Sequence, residues 1–411
     1  MSSHIKSDSK KNKPPKSSLR CLDPESWRSP SKDELRDHYS ELKEQKKDAS
    51  TLIFQRHLVP VDVYTYLKAR FGEPNGFMNF LKSPTSDNLI HWDYLLKCDD
   101  VIINIIGIHR GVQITICRKL KKSHWRTLVE KFRKEYAAVS INKSKEHKKL
   151  EEWHLFINRY LELCSEAALY YDIVYELQDF EFKTPDSPNK NKMKKWKKEF
   201  EAMTGKFHKL KQACLSLKLL TPIILEAFIN LLILITCKKE IRENKNIYEA
   251  RIREDLNIKI PSLHINCDHF EKPIDINSIE YKNFSRIMNE RNWFFHGNAD
   301  PHKDRLETIY FDKNTPLYKI PGDVHEKYFG MLLKMIQPKE ILEKYVKAHE
   351  FMIYVVNCFK AEYREQLWAM LESNSLGYNI KDDRFGVLLP DVLVSTRGQG
   401  IKDDQELFEN S

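Results

Sequence analysis

The chain has 411 residues, of which 41% are hydrophobic and 31% charged, so it reads as a soluble globular protein with room for two or three cored domains. A formal charge of +9 favours a polyanionic partner, although lysine-rich composition also serves solubility alone. Eight cysteines without a Cys-x-x-Cys pair point to a reducing cytosol, and no glycine-rich loop suits a P-loop nucleotidase.

Residues 1–50 form a basic, highly charged tail. Its first 20 residues are mostly Lys, Ser and Pro with almost nothing apolar and are expected to be disordered, and Lys32 to Lys47 to form a solvent-facing helix. The polar N-terminus predicts no signal peptide and a cytoplasmic protein. Residues 51–140 read as a small α+β domain with an antiparallel sheet. Asp62 after Pro60 predicts a helix N-cap and Gly72 the helix end. Ile90, Trp92, Tyr94 and Leu96 alternate with His91 and Asp93, Val101 to Ile106 reads as a fully apolar strand, and Val112, Ile114 and Ile116 alternate with Gln113 and Thr115. Gly107 to Gly111 would close the last two into a hairpin. Ser123 is expected to cap a helix with Trp125, Leu128, Val129, Phe132 and Tyr136 on its apolar face.

Residues 141–194 divide into a basic connector, Lys143 to Lys149, and a long helix with Trp153, Phe156, Tyr160, Leu163, Ala167, Tyr170, Val174 and Leu177 at helical spacing. A Lys-rich stretch follows. Lys194, Lys195, Lys197 and Lys198 around Trp196 suit single-stranded RNA, the indole stacking on a base. The plainer reading is an exposed loop entering a helix. Met203, Phe207, Leu210, Cys214 and Leu217 mark an amphipathic helix. Thr221 as N-cap with Pro222 at the first position predicts a new helix, apolar nearly all round and therefore central. Its apolar run to Thr236 is shorter than the roughly 20 residues a bilayer requires, so no membrane span is expected. Glu226 and Asn230, four apart on it, are expected to face inward, where a carboxylate needs a cation; Arg291 is the expected partner. Asn246 to Leu256 reads as a short charged helix. His264, Cys267 and His269 lack a second ligand pair at usable spacing, so neither metal nor cofactor is expected. Leu306 to Ile320 alternates like a hairpin, Pro338 to Glu372 reads as one long helix, and residues 374–411 form a C-terminal extension.

The chemistry-bearing stretch is Glu290-Arg291-Asn292-Trp293-Phe294-Phe295-His296-Gly297, on a helix from Ser278 with Phe284, Ile287, Met288 and Phe295 as its buried stripe. Asn292 and His296 are four apart, so the amide can hold one ring nitrogen of the imidazole. Arg291 and His296 lie about 140° apart on an ideal helix. A long guanidinium stem, or a helix ending at Gly297, must close that gap.

Arg, then Asn, then three residues and His resembles the signature of the HEPN superfamily of helical ribonucleases, toxins and defence proteins, over residues 195–373. The resemblance implies a mainly α fold, with a HEPN-like helical bundle behind the α+β domain. It also implies metal-independent endoribonuclease activity with Arg291 and His296 catalytic and Asn292 assisting, and a homodimer that shares a composite site. RNA would be the substrate, and a toxin or antiviral role would bring a possible antitoxin partner. The alternative is a non-catalytic dimerisation or RNA-binding module on the same fold.

Overall fold

A computed structural model describes residues 19–40, 49–82, 90–108, 111–186, 192–295, 300–302, 305, 307–319, 323–388 and 402–403. Residues 1–18 of the expected disordered tail, and His296 with Gly297, lie outside the described residues. The fold is mainly α, with an antiparallel sheet in the first half of the chain. Contacts divide it into two units, Met1–Glu152 with Val392–Ser411, and Trp153–Asp391.

The first unit holds helix α1 (Lys32–Ser40), strand β1 (Ser50–Phe54), helix α2 (Pro60–Phe71), strands β2 (Ile90–Cys98), β3 (Val101–Ile108) and β4 (Gly111–Ile116), and helices α3 (Lys122–Ala138) and α4 (Ser140–Lys148). The sheet order is β1-β4-β3-β2, antiparallel throughout, and the short strand Lys402–Asp403 adds in parallel to β1. Alternation decides the buried face: Phe54, Tyr94, Ile105 and Ile114 pack with Tyr66 of α2 and Leu128 and Phe132 of α3. Gly107 is required in β3, because a Cβ there would lie 2.2 Å from the Trp92 indole.

Two expected caps shift. α2 starts with Pro60 at its first position and Val59 before it, leaving Asp62 in the first turn, where its carboxylate takes the Lys143 ammonium. α3 starts one residue ahead of Ser123. The expected connector at Lys143 is instead part of α4.

The second unit contains β5 (Trp153–Leu155), α5 (Arg159–Leu177), α6 (Met193–Thr236), α7 (Lys239–Glu243), α8 (Lys245–Arg253), α9 (Leu256–Lys259), α10 (Leu263–Asn266), α11 (Ile279–Phe295), β6 (Ile309–Asp312), β7 (Thr315–Tyr318), α12 (Val324–Ile336), α13 (Pro338–Val356), α14 (Ala361–Leu371), β8 (Leu376–Asn379) and β9 (Arg384–Val387). It extends beyond residues 195–373 on both sides, because α5 shares the core of α6 through Tyr160, Ala167 and Val174, and β5 pairs with β8. The helix expected from Trp153 begins only at Arg159. Asn158 stops it there, its side chain accepting from Leu161 N at 3.1 Å and donating to Leu371 O at 2.7 Å.

α6 is the axis of this unit, 44 residues long and therefore about 66 Å. The two helices expected to meet at Thr221 are one. Thr221 Oγ1 turns back to donate to Leu217 O at 2.7 Å instead of capping forward, and Pro222 is buried in a continuous helix. By length and composition α6 is apolar enough to cross a bilayer, yet 56% of its most apolar window is buried inside the unit. Its core residues Leu225, Phe228, Ile229 and Leu232 pack with Phe284 of α11 and Phe351 and Val355 of α13. The long helix expected over 338–372 is broken between α13 and α14, where Phe359 bridges to Phe270 and Lys360 N donates to His269 O at 2.9 Å.

Candidate functional site

Helix α11 is fixed by Phe284, Ile287 and Met288, all buried, with the Phe284 ring stacked on Phe351 of α13 at 4.5 Å between centroids. One turn after Ile287 the stripe reaches Arg291. Its Nη1 lies 3.4 Å from Glu226 Oε2 on α6, so the expected pairing is present. Its setting differs from expectation. The side chains are 30% and 38% exposed, because Glu226 opens onto a groove between α5 and α6 and is not sealed in the core. Water therefore shares the solvation of this carboxylate, and the several-kcal/mol penalty expected for a buried one does not apply.

The groove has a volume of about 1120 Å³ and is lined by Tyr160, Glu162, Glu166, Glu226, Asn230 and Tyr248 among others. Asn230 faces it one turn beyond Glu226 and accepts from Lys259 Nζ at 3.1 Å. That ammonium also donates to Ile252 O at 2.6 Å and is buried, with 3% exposure. Burial holds its pKa below the ordinary lysine value, while the carboxylates of Glu226, Glu254 and Asp255 pull the other way. Glu226 and Asn230 thus share a face as expected, each serving a different cation. Sequence reasoning does not single out Lys259; the available signal is a lysine flanked by Ile258 and Ile260, two residues before Pro261.

On its other side Arg291 borders a cavity of about 50 Å³ with Lys218, Thr221, Glu290, Ile336 and Lys344. Glu290 is tied to Lys344, which also reaches Glu340 at 2.7 Å. Arg291 therefore lines the small cavity, and its partner Glu226 lines the open groove. Asn292 is exposed on the last turns of α11, and His296 follows the helix outside the described residues.

The Lys-rich stretch lies elsewhere. Lys194, Lys195, Lys197 and Lys198 are exposed on the first turns of α6, roughly 42–48 Å along the helix from Glu226 at the usual rise per residue. Trp196 is engaged within the protein, stacked on Phe200 at 5.2 Å with its Nε1 donating to Pro185 O at 2.9 Å. His264 Nδ1 contacts Pro261 O at 2.9 Å, His269 stacks on Tyr363 at 3.8 Å, and burial pushes the Cys267 thiol up to about 12. Among the described residues no three His, Cys, Asp or Glu side chains gather as a metal site needs.

Comparison with protein-family models, with curated proteins and with solved structures finds no match in any of the three.

Proposed function

We propose that the chain is a metal-independent endoribonuclease of HEPN type, with Arg291 and His296 as its catalytic pair. The observation that carries this reading is the position of Arg291 in the last turns of α11, partly exposed and held 3.4 Å from Glu226, a residue that lines an open groove. RNA carries a 2′-hydroxyl beside each phosphodiester, so intramolecular attack on phosphorus needs no metal-bound nucleophile. A proton must leave the 2′-oxygen, another must reach the departing 5′-oxygen, and charge on the phosphoryl oxygens must be neutralised. An imidazole with a pKa near 6.5 moves protons at neutral pH, which is the role assigned to His296. The planar donors of Arg291 suit the phosphoryl oxygens, and Asn292, the next residue on the same helix end, orients the ring. One imidazole cannot be base and acid in a single step, so a two-fold dimer supplies the second. In this reading the protein acts in the cytoplasm as a toxin or defence effector.

A non-catalytic dimerisation or RNA-binding module draws support from the same ion pair, since Glu226 occupies the guanidinium a phosphate would need. Incubating wild-type and His296→Ala protein with total RNA in EDTA, followed by end-group analysis, separates the two. The nuclease yields 2′,3′-cyclic phosphate and 5′-hydroxyl ends that vanish in the variant. Cleavage abolished by EDTA, or unchanged by His296→Ala, overturns it.

A further inference from the structure

We infer that the β6–β7 hairpin and the lysine-bearing start of α6 form a docking surface for single-stranded RNA, at the far end of α12 from Arg291. For the identity of the ligand this rests on the ribonuclease reading; the surface itself rests on separate observations.

Every residue of both strands is exposed. Ile309 pairs with Tyr318 and Phe311 with Pro316, so these four side chains share one face of the ribbon. Phe311 is 64% and Tyr318 54% exposed, an unusual amount of open aromatic surface for a two-stranded ribbon. As diagonal neighbours they lie about 7–8 Å apart, the arrangement in which sheet aromatics stack successive unpaired bases.

The charge is placed beside them. Lys327 Nζ stands 5.6 Å from the centre of the Tyr318 ring, and two residues earlier the His325 ring meets Phe200 of α6 at 5.3 Å. Phe200 closely follows the exposed lysines at 194, 195, 197 and 198, so α12 joins ribbon and lysines at one end of the bundle. The nearby acids pair loosely or not at all with these lysines, and Lys194 and Lys198 have no acid within ion-pair distance among the described residues. Glu199 and Glu201 reach Lys195 and Lys197 only at 3.6 and 3.9 Å on exposed side chains, and Asp323 and Glu326 accept from Thr184. A bare apolar ribbon would suit a protein partner equally. The adjoining row of lysines decides for a polyanion with exposed bases. From this end α12 runs about 20 Å to Ile336, which lines the cavity beside Arg291. A bound strand thus has a track toward the proposed site.

The test is fluorescence polarisation of a labelled 20-nucleotide single-stranded RNA with full-length His296→Ala protein as parent, across a salt series. Added Phe311→Ser and Tyr318→Ser should weaken binding at least tenfold with an unchanged salt slope. Lys194→Glu, Lys195→Glu, Lys197→Glu and Lys198→Glu together should flatten the slope, by about 0.7 for each phosphate that is no longer neutralised. Added Phe311→Leu and Tyr318→Leu keep the apolar bulk without the ring faces and should lose the same affinity, so the test stands even where the serine pair melts early. Binding within twofold of the parent in the leucine pair overturns the inference. So does a changed sedimentation coefficient with RNA affinity intact, which would make the ribbon a protein interface. Wild-type protein that cleaves nothing while binding through the ribbon sinks the nuclease and leaves this surface standing; cleavage with ribbon-independent binding does the reverse.

Discussion

Arg291 Nη1 on α11 and Glu226 Oε2 on α6 stand 3.4 Å apart at a groove edge, and this contact sets the competition at the proposed site. An ion pair this exposed to water contributes below about 1 kcal/mol to stability. A double-mutant cycle with Glu226→Gln and Arg291→Gln, followed by urea unfolding, should return a coupling in that range. Glu226→Gln should also tighten RNA binding severalfold, since a carboxylate no longer competes with phosphate. A coupling of several kcal/mol with unchanged RNA affinity would make the pair purely architectural.

Arg291→Lys keeps the charge and loses the planar fork that meets two phosphoryl oxygens at once. Single-turnover cleavage should fall by roughly 100-fold or more, the usual cost of removing one transition-state donor, while the melting temperature stays near wild type. Full activity in the lysine variant would remove Arg291 from the chemistry.

Phe284 and Phe351 are both fully buried and stacked at 4.5 Å, 22° from parallel, and this contact seats α11 against α13. Phe284→Ala should cost about 3–5 kcal/mol in urea unfolding, and Phe284→Leu considerably less. A change under about 1 kcal/mol for the alanine variant would mean that α11 is held in place by other contacts.

Lys259→Met removes the ammonium that donates to Asn230 Oδ1 and to Ile252 O beneath the groove. Depriving those acceptors of it should destabilise by about 1–3 kcal/mol, despite the relief of a buried charge. Equal or greater stability in chemical unfolding would show that desolvation of the ammonium outweighs its hydrogen bonds.

Periodicity makes the fold legible where one face is buried, as in the alternation of Val112, Ile114 and Ile116 or the spacing of Phe284, Ile287 and Met288. It misleads where a local signal meets a long-range contact. Thr221-Pro222 has the chemistry of a helix start, but the hydroxyl finds the Leu217 carbonyl and packing carries α6 through. The break at Phe359 depends on its bridge to Phe270, 89 positions away, which no local window contains. At the candidate site the Arg291–Glu226 pairing can be read from helical spacing and charge. Its exposure cannot, because that depends on how α5 lies against α6. Lys259 stays hidden for the same reason: a lysine's burial is decided by its neighbours in space.

His349 on α13 should give the fold a pH dependence separable from the proposed catalysis. Its ring lies against Tyr345 at 4.6 Å, and burial holds its pKa below the ordinary 6.5. The folded state keeps the ring neutral, whereas the unfolded chain takes up a proton as pH falls through about 6.5. The unfolded state then binds more protons, so this contribution to stability is complete above that pH and is lost as pH falls toward the depressed folded value. Urea midpoints should decline as pH falls from about 7.5 to about 5.5, the window around the unfolded value, and His349→Phe should flatten part of that decline. A rate profile governed by His296 should persist in His349→Phe protein, since that substitution leaves the proposed catalytic imidazole in place. If His349→Phe left the midpoints' pH dependence unchanged, other groups would carry it, and His349 would titrate alike in both states.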